Sequence, residues 1–408
     1  MNNHSIQRPR KRLVICCDGT WQALAGEYPT NVIKMAQVVK PIASDGVPQV
    51  VFYGQGIGTR GKLLEKLGGG AFGWGIDENI QDAYQFLCLN YDPEDESHLA
   101  DEIYMFGFSR GAYTIRSLAG LIRCAGGLLP RQEVRKTPQA YRIYRSRQKY
   151  DRSLSLKEIN KLELQRKEEE MRNLSKGIRP IKITLLGCWD TVGSLGVPAQ
   201  FPLLSQWVNR KYQFHDYKLS NIIEHALHAV AIDECRRAFD VAPMQQQPDN
   251  INRGQTLHQV WFPGVHGCIG GGTEALRGLS DAALQWMMDQ IKALELGLDL
   301  NRDLVEYDIR PNAAAPYGLF PDHKTPFNAN ISFFYKILGE KLRLMEDEQN
   351  PLMFDPTGTN GTGANSIHRS AIDRWCDPDL SCDPKQCYRP RNMPEWLVAK
   401  LSDNLPIA

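Results

Sequence analysis

Several things are missing from this chain, and each absence narrows what it can be. No run of apolar residues approaches the roughly 18–20 needed to span a bilayer as a helix. No apolar stretch follows the opening Asn2-Asn3-His4-Ser5-Ile6-Gln7-Arg8-Pro9-Arg10-Lys11-Arg12, so the pattern of a secretory leader is lacking. The expectation is a soluble, cytoplasmic protein, unless it leaves by a route needing no leader or sits peripherally on a membrane. Charge of one sign is not in excess either. The 48 Lys and Arg against 47 Asp and Glu leave +1, which gives no global reason to expect a nucleic-acid partner. No internal repeat is visible. The ten cysteines follow no zinc-ligand spacing, even where Cys376, Cys382 and Cys387 cluster. Cys16, Cys17 and Cys188 fall in strand-like runs, where small buried thiols are ordinary. Neither a metal nor a cofactor is expected.

What is present is an alternation. Five apolar segments read as strands: Leu13–Cys17, Gln49–Tyr53, Ile103–Phe106, Ile183–Cys188 and Gln259–Phe262. Helical patterns lie between them at Ile76–Leu89, Ala112–Ile122, Ile222–Ala229 and Leu279–Ala293. Strands alternating with helices imply an α/β fold, a mostly parallel sheet flanked by helices. A 42% hydrophobic share suffices for a sizeable core across this alternating stretch. Within it, residues 131–178 form a helical insertion with 14 basic against 7 acidic residues, its second half a charged helix over Leu156–Asn173. This insertion is either a solvated excursion or a basic lid. In the second case Tyr141, Tyr144 and Tyr150, interleaved with Arg142, Arg145 and Arg147, meet anionic lipid headgroups. Residues 291–408 form a C-terminal extension packing on the core, with a helix expected over Ile331–Met345 and a flexible loop over Asp355–Asn365.

The third strand runs directly into Gly107-Phe108-Ser109-Arg110-Gly111 and then a helix. This is the setting of a nucleophile elbow: a serine on a tight strand-to-helix turn, with small residues two positions either side. A serine hydroxyl needs a base, and the base needs an orienting acid. Asp190, at the end of the fourth strand, is the candidate acid. His266, just past the fifth, is the candidate base, and His368 is its strongest competitor. Arg110 N–H, with Gly19 and Thr20 after the first strand, is the candidate oxyanion hole. Asp18 and Trp21 are candidate substrate contacts, although Asp18 with Asp190 and His266 also has the composition of a hard-ligand metal site.

Six motifs occur in order: Cys17-Asp18-Gly19-Thr20-Trp21, Thr30-Asn31-Val32, Gly54-x-Gly56-x-Gly58-Thr59, Gly107 to Tyr113, Trp189-Asp190-Thr191-Val192-Gly193 and Trp261-Phe262-Pro263-Gly264-Val265-His266. Together they resemble the α/β-hydrolase family typified by the catalytic domain of type VI secretion phospholipase effectors, over roughly residues 11–290. The resemblance implies a serine carboxylic ester hydrolase of lipase or phospholipase type, with Ser109 as nucleophile and a lipid ester as substrate. Two departures stand out: Gly267-Cys268 replaces the Ser-Asp that commonly follows the histidine, and Thr273 replaces an aromatic. The alternatives are a hydrolase of a storage polyester or other non-lipid ester, and a non-catalytic binding module on the same scaffold.

Overall fold

In a computed structural model, the structure describes residues 9–19, 28–56, 71–146, 155–193, 218–304, 319–329, 339–348, 350–354, 365–381 and 388–403. Seven strands form one sheet: β1 (Arg12–Cys17), β2 (Gln49–Gly54), β3 (Glu102–Phe108), β4 (Ile183–Trp189), β5 (Ile223–Ala231), β6 (Thr256–Phe262) and β7 (Asn365–Ile367). Their order is β2-β1-β3-β4-β5-β6-β7, and every neighbouring pair is parallel. The chain moves outward from β1 to β2 and then returns to β3 on the other side of β1. The carboxyl ends of β1 and β3 therefore flank a topological switch point, where open α/β sheets gather their chemistry.

Helices cover both faces, and the alternation along β1 shows why. Leu13, Ile15 and Cys17 face one apolar cluster, whereas Val14 and Cys16 face the other. The first cluster is closed by α2 (Ala71–Asn90) and α3 (Arg110–Ala125), through Ile80, Tyr84, Leu87, Ile115 and Leu118. The second is closed by α1 (Asn31–Val38) and by the long helix Arg277–Ala293, through Val32, Met35, Leu284 and Met287. Thr30 caps α1, its hydroxyl accepting from Ile33 N–H at 3.2 Å.

One segment reads differently in the structure. Ile222–Ala229, expected as a helix, is most of β5. Its apolar spacing fits a helical period, but the segment lies between β4 and β6 with helices on both faces, so burial rather than local propensity decides its state. Its polar residues find cross-strand partners. His225 Nδ1 lies 2.9 Å from Thr256 Oγ1, and His228 Nδ1 lies 3.0 Å from Gln259 Oε1.

The basic insertion is helical, with α4 (Thr137–Arg145) and α5 (Leu156–Leu174) packed against α3. A capping box starts α5: Ser155 Oγ accepts from Glu158 N–H at 3.3 Å, and the Glu158 carboxylate accepts from Ser155 N–H at 2.9 Å. The described tyrosines pack inward. Tyr141 is buried with its hydroxyl 2.6 Å from Asp77, Tyr144 packs against Gly120, and Arg145 hydrogen-bonds Tyr113 one turn beyond Ser109. Arg142 is exposed. Arg147 and Tyr150 lie outside the described residues.

The C-terminal region joins the sheet instead of merely leaning on it. It supplies β7, followed by the helices Arg369–Cys376, Pro378–Ser381 and Glu395–Asp403, and it encloses Trp261 in a third apolar cluster with Ile367, Trp375, Leu397 and Leu401. Of the helix expected over Ile331–Met345, residues 331–338 lie outside the described residues and 339–345 are not helical. Arg343, buried in that stretch, is held by acceptors from three other segments, which tie the stretch to the sheet. Residues 355–364 of the expected flexible loop are likewise not described, and Asn365 opens β7.

Candidate active site

β3 ends at Phe108 and α3 begins at Arg110, which leaves Ser109 alone to turn the chain. It does so at φ 57° and ψ −118°, a conformation costly for a residue with a Cβ. Crowding around the turn dictates its neighbours. A Cβ on Gly107 would fall 2.6 Å from the Gly111 backbone, and one on Gly111 would fall 1.9 Å from the Cys17 carbonyl oxygen. The first turn of α3 thus rests directly on the end of β1, with Ser109 above the sheet.

Asp190 follows β4 and takes φ 43°. His266 opens a short helix after the loop that leaves β6. The structure brings these residues together. His266 Nε2 lies 2.8 Å from Ser109 Oγ, and His266 Nδ1 lies 2.5 Å from Asp190 Oδ2. An ionised carboxylate only accepts, so Nδ1 carries the proton and Nε2 faces the serine as an acceptor. Phe108 and Phe239 flank the imidazole, with ring centroids 4.7 and 4.9 Å away. Ser109, Asp190 and His266 are at most 6% exposed.

Asp190 is held more tightly than orienting a histidine requires. Its Oδ1 accepts from Ala231 N–H at 2.9 Å and from Arg343 at 2.6 Å, and its Oδ2 accepts a second Arg343 bond at 2.9 Å. Burial alone would raise its pKa. The Arg343 charge and the bonds from His266 and Arg343 outweigh that and hold it well below the usual carboxylate range. Glu234, also buried, accepts from His266 N–H at 3.1 Å and pairs with Arg236 at 2.6 Å. Asp233 ties down the same loop: it accepts from Gly264 N–H at 2.7 Å and Tyr388 O–H at 2.9 Å, while burial raises its pKa to about 6. Sequence reasoning missed Arg343.

The other candidates fall elsewhere. Asp18, expected to contact substrate, is buried and fixes a loop. It accepts from Gly19 N–H at 2.7 Å, Thr30 O–H at 2.7 Å and Tyr53 O–H at 2.9 Å, and burial raises its pKa to about 6. With its carboxylate engaged there and that of Asp190 engaged by Arg343 and His266, the Asp18–Asp190–His266 metal site does not assemble. Among the described residues no group of three His, Cys, Asp or Glu is placed to hold an ion. Gly19 packs against Ser109, but its N–H is directed to Asp18. Arg110 opens α3, at the helix end that favours negative charge. Thr20 and Trp21 lie outside the described residues. Cys268, in the Gly267-Cys268 departure, is buried against Gly264, and burial pushes its thiol up to about 12.

His368 belongs to the packing. It caps the helix Arg369–Cys376 by accepting from Ser370 N–H at 3.1 Å, and its ring stacks on Phe262 at 4.1 Å. Burial lowers its pKa to about 3. His368→Ala is expected to cost about 2–4 kcal/mol of stability by opening a cavity and losing a cap. Denaturant melts should show that loss, while labelling of Ser109 by a fluorophosphonate should proceed at the wild-type rate.

A strained serine at a strand-to-helix turn thus lies within hydrogen-bond reach of a histidine that an aspartate holds, at the carboxyl ends of a parallel sheet flanked by helices. The chain belongs to the family of type VI secretion system (T6SS) phospholipase effector, Tle1-like catalytic domains, whose model matches residues 11–290. It is also 29% identical over 252 residues to uncharacterized protein YEL023C of Saccharomyces cerevisiae, a match covering 59% of this chain and 33% of that protein. Among solved structures it is similar to an uncharacterized protein from Pseudomonas aeruginosa, with TM-score 0.40, 15% identity, and 81% and 52% of the two chains covered. It is also similar to the Tle1 effector bound to the VgrG spike, with TM-score 0.35, 17% identity, and 65% and 52% covered. The chain spans about a third of the yeast relative's length and about half of each solved chain.

Proposed function

We propose that this protein hydrolyses carboxylic ester bonds of lipids, phospholipids above all, through an acyl-enzyme on Ser109. The observation that carries the reading is the continuous relay from Ser109 Oγ through His266 to Asp190, at 2.8 and 2.5 Å. Membership in a phospholipase effector family supports the lipid substrate.

In this mechanism His266 Nε2 takes the hydroxyl proton as Ser109 Oγ bonds to the acyl carbon. The carbonyl oxygen becomes an oxyanion next to the first turn of α3, where Arg110 N–H and the helix dipole favour negative charge. His266 then returns the proton to the departing alcohol, which leaves the acyl group on Ser109. A water molecule, deprotonated by the same nitrogen, attacks the acyl carbon; the proton then passes to Ser109 Oγ as its bond to that carbon breaks, and the fatty acid leaves. Asp190 keeps Nδ1 protonated throughout and opposes the charge that forms on the imidazole.

The test is fluorophosphonate labelling of purified protein together with fatty-acid release from phospholipid vesicles and hydrolysis of a short-chain nitrophenyl ester. Labelling with release from both substrates supports the reading. Turnover of the soluble ester alone would shift the substrate to a non-lipid ester. Neither labelling nor turnover would leave a binding module.

We further propose that the protein works from the aqueous side at anionic membranes, with the basic insertion in peripheral contact. No helix among the described residues is long and apolar enough to cross a membrane. Arg135 and Arg142 are exposed on the insertion. Each basic residue near an anionic surface contributes about 1 kcal/mol, screened by salt. Replacing both with Gln should therefore lower turnover of anionic vesicles about 10-fold at low salt and leave the soluble ester unaffected. Equal losses on both substrates would make the insertion a purely structural element.

A further inference from the structure

We propose that Arg343, contributed by the C-terminal region, is a positioning residue of the hydrolytic relay, fixing Asp190 against His266 and offsetting part of the carboxylate charge that faces the imidazole. This rests on the relay assigned to Ser109, Asp190 and His266.

Arg343 lies beyond residues 11–290, the span matched by the family, and reaches back into the site. Its guanidinium binds both Asp190 oxygens, at 2.6 and 2.9 Å, the two-pronged geometry that sets the plane of a carboxylate as well as its place. It is 1% exposed and its partner fully buried, so solvent does not screen the pair. The same side chain donates to the carbonyls of Ala231 at 2.9 Å and Phe239 at 2.6 Å. Ala231 N–H itself holds Asp190, and the Phe239 ring packs on His266. One arginine therefore governs two of the groups that touch the imidazole.

The geometry carries a second consequence. In the transition state His266 becomes a cation, and the charge facing it is an aspartate already paired with a cation. Among the described residues, Glu234 accepts from the His266 backbone N–H, Arg236 neutralises Glu234 and covers Phe239 at 4.0 Å, Asp233 ties down the loop before His266 at Gly264, and buried His228 interacts with Asp190 and Arg343. Asp240 acts on Arg343 from behind. Removing the Arg343 charge takes one buried cation away from the hydrogen-bonded Asp190–His266 pair, so the pair as a whole holds a proton more readily. The acidic limb of the pH–rate profile must then move upward.

The experiment compares full-length wild type, Arg343→Met and Arg343→Lys by thermal melting, by kcat/KM for a soluble short-chain ester from about pH 5 to 9, and by the rate of Ser109 labelling with a fluorophosphonate. Arg343→Met is expected to lose on the order of 10²-fold in kcat with little change in KM, and its acidic limb should rise by about one pH unit. Arg343→Lys keeps the charge without the fork. It should lose about 10-fold in kcat and leave the limb where it is in wild type. Arg343→Met with the wild-type limb, or Arg343→Lys indistinguishable from wild type, would overturn the inference while the hydrolase reading stands. If Arg343→Met fails to fold, Arg343→Lys and its kcat decide. Wild-type protein that neither turns over nor labels would instead bring down the hydrolase reading itself.

Discussion

Ser109→Ala is expected to lower ester hydrolysis by on the order of 10⁴-fold or more and to abolish fluorophosphonate labelling. The substitution removes the one oxygen that lies 2.8 Å from His266 Nε2 and touches little else. The strained backbone is held by its surroundings rather than by the hydroxyl, which forms no cap bond to α3. Ser109 N–H stays bonded to the Trp189 carbonyl at 3.0 Å. Stability should therefore shift by no more than about 0.5–1 kcal/mol, so lost activity cannot be blamed on lost fold. Denaturant melts and turnover measured on the same preparation separate the two effects. Appreciable turnover in a folded Ser109→Ala protein would sink the acyl-enzyme mechanism, whatever the family membership.

The positions of Ser109, Asp190 and His266 could be read from the sequence for one physical reason. In a parallel sheet the loops at the carboxyl ends of the strands share one edge, and each candidate lies within four residues of the end of an apolar, strand-like run. Tertiary context decided what local pattern could not. Ile222–Ala229 offers apolar residues at helical spacing, and only the strands on either side turn it into β5. Asp18 looked like a site residue because it too ends a strand. Its carboxylate instead closes a knot of Thr30, Tyr53 and Gly19 that positions the loop. Tyr141 and Arg145 read as a surface motif, but the helix that carries them turns both toward α2 and α3. Arg343 gave no local signal. It is one basic residue in an irregular stretch, more than 150 positions from Asp190 along the chain, and its importance comes entirely from where that stretch is folded.

Gly111→Ala is expected to reduce turnover by at least about 10²-fold and to cost about 1–3 kcal/mol, a large effect for one methyl group on a residue that makes no contact with the reacting atoms. The added carbon would lie 1.9 Å from the Cys17 carbonyl oxygen, 2.5 Å from its carbon and 2.8 Å from the carbonyl carbon of Asp18. All three are backbone atoms at the end of β1, so no flexible side chain can swing aside. Either the first turn of α3 lifts, carrying Ser109 off its line to His266, or the end of β1 drops, carrying the loop of Asp18 and Gly19 with it. The first route takes the nucleophile away from its base, and the second takes away the Gly19 loop that packs against Ser109. Gly126→Ala is the matched control. That residue ends α3 at φ 78° with open space around its Cβ position, so alanine there meets backbone strain but no collision. It should cost about 1 kcal/mol and leave kcat unchanged. If Gly111→Ala retained wild-type kcat and Ser109 labelling while losing no more stability than Gly126→Ala, close packing of α3 on β1 would not be what holds the serine in place.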